Sequence, residues 1–177
     1  MGDIAEAETI LRKKGIADAE KKSGRAAKEG VIASRIVEDA KTGILVEVNC
    51  ETDFVSSNDQ FQALAKDIAL QISSMNPQYV SRDDVPAEVV EAKKAEFADD
   101  PDMADKEGDV LAASIAGKMD QWFQEVVLME QDFIKADKTV EQVMTETTAE
   151  LGETIKVARF ARYMVGELAG DAPEDDE

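Results

Sequence analysis

Apolar and polar residues alternate most regularly over residues 44–50. Ile44, Val46, Val48 and Cys50 fall on one side and Leu45, Glu47 and Asn49 on the other, the two-residue period of a strand with one buried face. From Asn58 onward the period changes: Phe61, Leu64, Ala65, Ile68, Ala69 and Ile72 recur at the three-and-four spacing of an amphipathic helix, and Ser57, Asn58 and Asp59 offer a capping oxygen ahead of it. Between the two lies a short acidic and aromatic elbow, Glu51-Thr52-Asp53-Phe54-Val55. Loops held between rigid elements carry much binding function, which makes Phe54 a candidate for display to a partner. The competing reading folds that aromatic back into its own core.

The flanking pattern supplies a sheet and its cover. Over residues 31–37, Ile32, Ser34 and Ile36 alternate with Val31, Ala33, Arg35 and Val37, and the polar turn 38–43 joins this stretch to 44–50 as an antiparallel hairpin. A two-stranded hairpin is marginal alone, so a further strand is required. Residues 153–165, with Ile155, Val157, Phe160 and Tyr163, read as a long strand antiparallel to the hairpin and supply it. Asn76-Pro77 breaks the chain after the first long helix, and Pro86 opens a second over 87–97. Ile115, Met119, Trp122, Phe123 and Val126 give a buried side to a helix over 110–128, with Trp122 as a core anchor. Thr139 with Gln142 has the form of a capping box opening a helix to Leu151, and Gly152 ends it. Residues 3–15 read as a helix too short to bury its apolar side alone, 21–28 as a basic linker, and 166–177 as a disordered acidic tail. The expected fold is α+β: a three-stranded antiparallel sheet backed by helices, with a residual N-terminal helix. The expected division is 1–29 remnant and linker, 30–165 core domain, 166–177 tail.

Composition narrows the chemistry. The 177 residues, 44% apolar, suffice for one core, and the formal net charge of -19 repels a phosphate backbone or an anionic membrane surface. Direct nucleic-acid binding and membrane attachment are therefore not expected, and no apolar run approaches the ~20 residues that span a bilayer. One cysteine and no histidine exclude an internal disulfide framework, a Cys/His zinc site and a histidine-based triad. The acidic stretch 98–109 invites a calcium-loop reading through Asp100, Asp102 and Asp105, but Asp105 stands where the loop needs glycine and Ala104 where it needs oxygen. Glu51 and Asp53 are the nearest pair for acid/base catalysis, without a metal or oxyanion partner in the pattern. A Gly-rich phosphate loop with its lysine is absent, so the chain is not expected to bind GTP itself, and no cofactor is expected.

The run VEVNCETDFVSSNDQF, with the strand before it and the helix after it, resembles the signature of elongation factor Ts, the guanine-nucleotide exchange factor of elongation factor Tu. The segments GDIAEAETILRKKG and KKSGRAAKEG are also similar to that family, the first to the last helix of its small N-terminal domain; the two helices expected ahead of it are not in this chain, so Met1 reads as a processing boundary, an artificial start or a gene-model error. Near residues 128–134 the family commonly has a proline where Asp132 stands, which leaves the path of that connection open. The resemblance implies a translation factor that performs no covalent chemistry. It implies that Thr52, Asp53, Phe54 and Val55 contact elongation factor Tu, with Phe54 inserted near the nucleotide's magnesium site, Asp53 orienting the elbow or bonding a backbone amide, and Val55 and the hairpin supporting it. It further implies a bacterial cytosol or a chloroplast stroma, and pairing of two chains, since this chain has one core half where longer members have two. The outer strand of the sheet and the helix over 110–128 are the surfaces expected to pair. A passive interaction domain without exchange activity, and an acid/base enzyme, remain the competing classes.

Overall fold

The computed structural model describes residues 24–37, 39–103 and 105–167, together with Ala17 and Lys21. The helix expected over 3–15, most of the basic linker's start and the tail beyond Glu167 lie outside the described residues. The chain divides into two compact units, one made from the segments up to Ser74 and from Met144 onward, the other from Met75–Val143.

The first unit is built on an antiparallel hairpin. Strand β1 (Glu29–Ile36) pairs with β2 (Thr42–Cys50), and β3 (Lys156–Met164) pairs antiparallel with the other edge of β2, giving a three-stranded sheet in the order β1-β2-β3. This is the α+β architecture expected from the sequence. Ile44, Val46, Val48 and Cys50 are all buried, so the strongest alternation in the chain belongs to the central strand. Strand β1 begins earlier than its alternation suggests because Gly30 is paired with Asn49 and adopts φ 151°. A Cβ at Gly30 would lie 2.2 Å from the Val48 carbonyl oxygen, so only glycine allows this approach.

Strand β3 is antiparallel to β2 as expected, with one irregularity. Glu47 pairs with Arg159 but Val48 pairs with Val157, leaving Ala158 as the extra residue of a β-bulge. The bulge shifts the inward set by one position, so Val157 faces the buried side before it, and Phe160 and Arg162, opposite Val46 and Ile44, do so after it. Tyr163 pairs with Gly43 on the opposite face and is exposed.

Helix α1 (Asp53–Ser56) is a single turn, and α2 (Asp59–Met75) follows it. The expected stripe of α2 is the buried one, with Phe61, Leu64, Ala65, Ile68, Ala69 and Ile72 all inside. Asn58 supplies its capping oxygen, accepting from the Gln60 amide at 2.8 Å. Helix α2 runs beside β1, and Gln62, Ala65 and Lys66 line a groove with Val31 to Ser34.

In the second unit, α3 (Ala87–Ala98) and α4 (Gly108–Val126) pack around Val85, Met119, Phe123, Val126 and Val127. Trp122 flanks that cluster and is only partly buried, its ring centroid 5.0 Å from that of Phe123. Arg82 lies 4.3 Å over the Phe123 ring and pairs with Glu130 and Asp120. The hydrogen bond to Glu130 first, and that to Asp120 after it, raise its pKa and hold the guanidinium charged. In the acidic stretch, Lys118 pairs with Asp100 and, with the Asp102 amide, holds that carboxyl below its usual range. At Asp132 the chain makes a tight return: Phe133 N–H donates to the Lys138 carbonyl and Asp132 bridges to Thr139. Helix α5 (Val140–Leu151) then opens with both capping-box bonds, the Gln142 amide to Thr139 Oγ1 at 3.3 Å and the Thr139 amide to Gln142 Oε1 at 3.1 Å.

Replacing Gly30 by alanine forces a Cβ onto the Val48 carbonyl and a disfavoured φ, a combination expected to cost about 3 kcal/mol. Urea unfolding of Gly30→Ala against the parent measures it.

Candidate functional site

The elbow begins where β2 ends. Cys50 is fully buried, and its thiol donates to the Thr52 carbonyl at 3.2 Å. Burial first, and the nearby Glu153 carboxylate second, push that thiol above its usual pKa, so it stays protonated and unreactive. Thr52 takes an extended conformation at φ -131°, ψ 157° and caps α1, its Oγ1 accepting from the Val55 amide at 3.4 Å. The turn closes with the Ser56 amide to the Thr52 carbonyl at 3.2 Å and the Ser57 amide to the Asp53 carbonyl at 3.1 Å. Successive side chains on a helical turn point about 100° apart, so neighbours part company. Val55 goes inward at 4% exposure, and Phe54 goes outward at 80%.

Leaving a phenylalanine in water forgoes about 2 kcal/mol that burial would have supplied. The reading that folds Phe54 into its own core is therefore not the geometry observed. Val55, expected among the contact residues, sits in the core, so its part is to anchor the turn from beneath. Asp53 is exposed, and among the described residues its carboxylate makes no bond, whereas Thr52 is bonded twice to Glu153.

What fixes Thr52 comes from the other end of the unit. Both oxygens of Glu153 are used on it: the Thr52 amide donates to Oε2 at 3.0 Å and the Thr52 hydroxyl donates to Oε1 at 2.6 Å. The return bond runs the opposite way, from the Thr154 amide to Glu51 Oε1 at 2.8 Å, while Arg25 lies 3.6 Å from the other Glu51 oxygen. A further tie joins Gln60, at the start of α2, to Glu150, near the end of α5. Glu51 is thus engaged in holding the turn rather than free to form an acid/base pair with Asp53. Sequence reasoning places Thr52 in the elbow but misses both its capping of α1 and its partner Glu153, which lies 101 residues away in the chain.

A second surface belongs to the same unit. On the outer side of the sheet Ile32, Ile36, Leu45 and Tyr163 are between 50% and 72% exposed, with the Glu47–Arg159 ion pair (2.8 Å) among them. Helix α4, also expected to share in pairing, places Met119, Phe123 and Val126 in the cluster of its own unit.

The family model described as Elongation factor TS matches residues 19–167. Elongation factor Ts of Geobacter sulfurreducens is 48% identical over 167 residues, covering 94% of this chain and 77% of that protein. The namesake from an Anaeromyxobacter species is 51% identical over 168 residues, with 94% and 76% covered. That of Thermodesulfovibrio yellowstonii is 46% identical over 167 residues, with 94% and 83% covered. Agreement of this extent across both units and through the elbow shows that the chain belongs to the elongation factor Ts family, the translation elongation factors whose signature run it carries.

Proposed function

We propose that this protein is a guanine-nucleotide exchange factor that binds elongation factor Tu and speeds the release of GDP, with Thr52, Asp53 and Phe54 at the contact and Val55 beneath it. The observation that carries the reading is Phe54, an aromatic 80% exposed on a turn that is hydrogen-bonded at its root and buried at its neighbour. A side chain held this way has little conformational freedom left to lose on binding. Phe54 enters the GTPase near the nucleotide's magnesium site and disturbs magnesium and phosphate coordination. No covalent bond changes. The exchange factor holds the nucleotide-free state more tightly than the GDP-bound state, and linkage then requires it to weaken GDP by the same factor. The relatives are bacterial, which favours a bacterial cytosol over a chloroplast stroma as the site of action.

The outer sheet face supports pairing of two chains. Its apolar side chains surround an internally neutralised Glu47–Arg159 pair, so the patch itself carries little charge against a second copy. The opposing force is the net charge of -19 on each chain, which salt screens.

Phe54→Ala is expected to slow factor-stimulated release of labelled GDP from elongation factor Tu at least ~10-fold while changing folding stability by less than about 0.5 kcal/mol, as an exposed residue should. Val55→Ala is expected to cost roughly 2 kcal/mol of stability. Undiminished release with Phe54→Ala would leave the chain a passive binding domain.

Sedimentation at two salt concentrations tests the pairing: association should tighten with added salt, and Leu45→Glu with Tyr163→Glu should give a monomer in both. A parent protein that is monomeric at tens of micromolar in either salt refutes it.

A further inference from the structure

We infer that Glu153 is a positioning residue for this exchange, acting through Thr52 to hold the Phe54 turn in its partner-ready orientation. The inference rests on the exchange reading of Phe54 and adds a residue that lies outside the signature run. A helix of one turn cannot hold itself, because nucleation fixes several residues in return for few bonds. Helix α1 spans only Asp53–Ser56, so its direction is set by its root at Thr52 and by the Val55 side chain below. Thr52 has one hydroxyl proton, and Glu153 Oε1 takes it at 2.6 Å. That choice turns the lone pairs of Oγ1 toward the Val55 amide, so the capping bond and the bond to Glu153 are not independent.

Glu153 is itself held. It follows Gly152, whose φ of 76° sets the turn out of α5, and it precedes Thr154, whose amide is tied back to Glu51. The carboxylate is therefore fixed from both sides before it meets Thr52. Removing it leaves the buried Cys50 and Val55 in place, so the fold persists. What is lost is the restraint on the Thr52 backbone and hydroxyl, about which α1 then swings. Phe54 spends less of its time in the competent orientation, and apparent affinity falls by that fraction while the rate at saturation is kept.

The experiment measures stimulated GDP release from elongation factor Tu against concentration of the full chain for the parent, Glu153→Gln, Thr52→Val, Phe54→Ala and the Glu153→Gln/Phe54→Ala pair. The amide of glutamine presents a donor to the Thr52 donors, so at least one bond is lost; Glu153→Asp, which keeps the charge but falls short by one methylene, gives a second reading should the first variant fail to fold. Expected are a half-saturating concentration raised about tenfold in Glu153→Gln and in Thr52→Val, a saturating rate within about twofold of the parent for Glu153→Gln, and little further effect of Glu153→Gln in the Phe54→Ala background. An unchanged half-saturating concentration in both Glu153 variants, while Phe54→Ala is impaired, overturns the inference and spares the exchange reading. A full additional loss in the Phe54→Ala background also overturns it, since Glu153 would then act on the partner independently. Phe54→Ala with parental activity defeats the exchange reading itself.

Discussion

Two carboxylates and two backbone amides, crossed between residues 51–52 and 153–154, are the constraint on which the functional end of this protein depends. Each side supplies one acid and receives one. Such hydrogen bonds to charged acceptors are each stronger than their neutral counterparts, and crossing them makes sliding of either segment break both. The sheet alone cannot provide this, because β2 has already ended at Cys50 and α2 does not begin until Asp59. The stretch between would otherwise be a loop with one buried valine. Crossed bonds turn it into a fixed pedestal, and they do so without covering the phenylalanine that stands on it.

The fold was legible wherever a side chain's environment is decided by its near neighbours in sequence. The apolar faces of strand β2 and helix α2 could be read directly, because Ile44 to Cys50 and Phe61 to Ile72 keep one period and bury what that period selects; Asn49 and Gln71, buried outside it, could not. The Thr139–Gln142 box could be read because both partners lie within one turn. Strand β3 could be found but not oriented. The extra residue at Ala158 exists only as a pairing with β2, and nothing in the order Lys156-Val157-Ala158-Arg159-Phe160 announces it.

The site was half legible for a related reason. The elbow's acidic and aromatic character was visible, but the one-turn helix that Thr52 caps was not. Which way Phe54 points is decided by the phase of a four-residue turn, and periodicity has no meaning over so short a length. The bond between Thr52 and Glu153 joins positions that only the completed sheet brings together. Glu153 in the sequence is one of 39 acids, with no pattern to separate it from the rest.

The unit bearing the elbow is assembled from two lengths of chain separated by the whole of Met75–Val143, and this has a consequence for how the protein is made. Translation delivers β1, β2, the elbow and α2 first, then the entire second unit, and only near its end β3 and the turn that grips Thr52. A hairpin of two strands is marginal by itself, so the early segment waits in an incomplete state while the middle folds. Phe54 is synthesised early but is set in its final attitude among the last events. A growing chain thus carries the partner-facing aromatic long before it carries the means to aim it, and a fragment ending ahead of Glu153 would own the signature run without the geometry that the run serves.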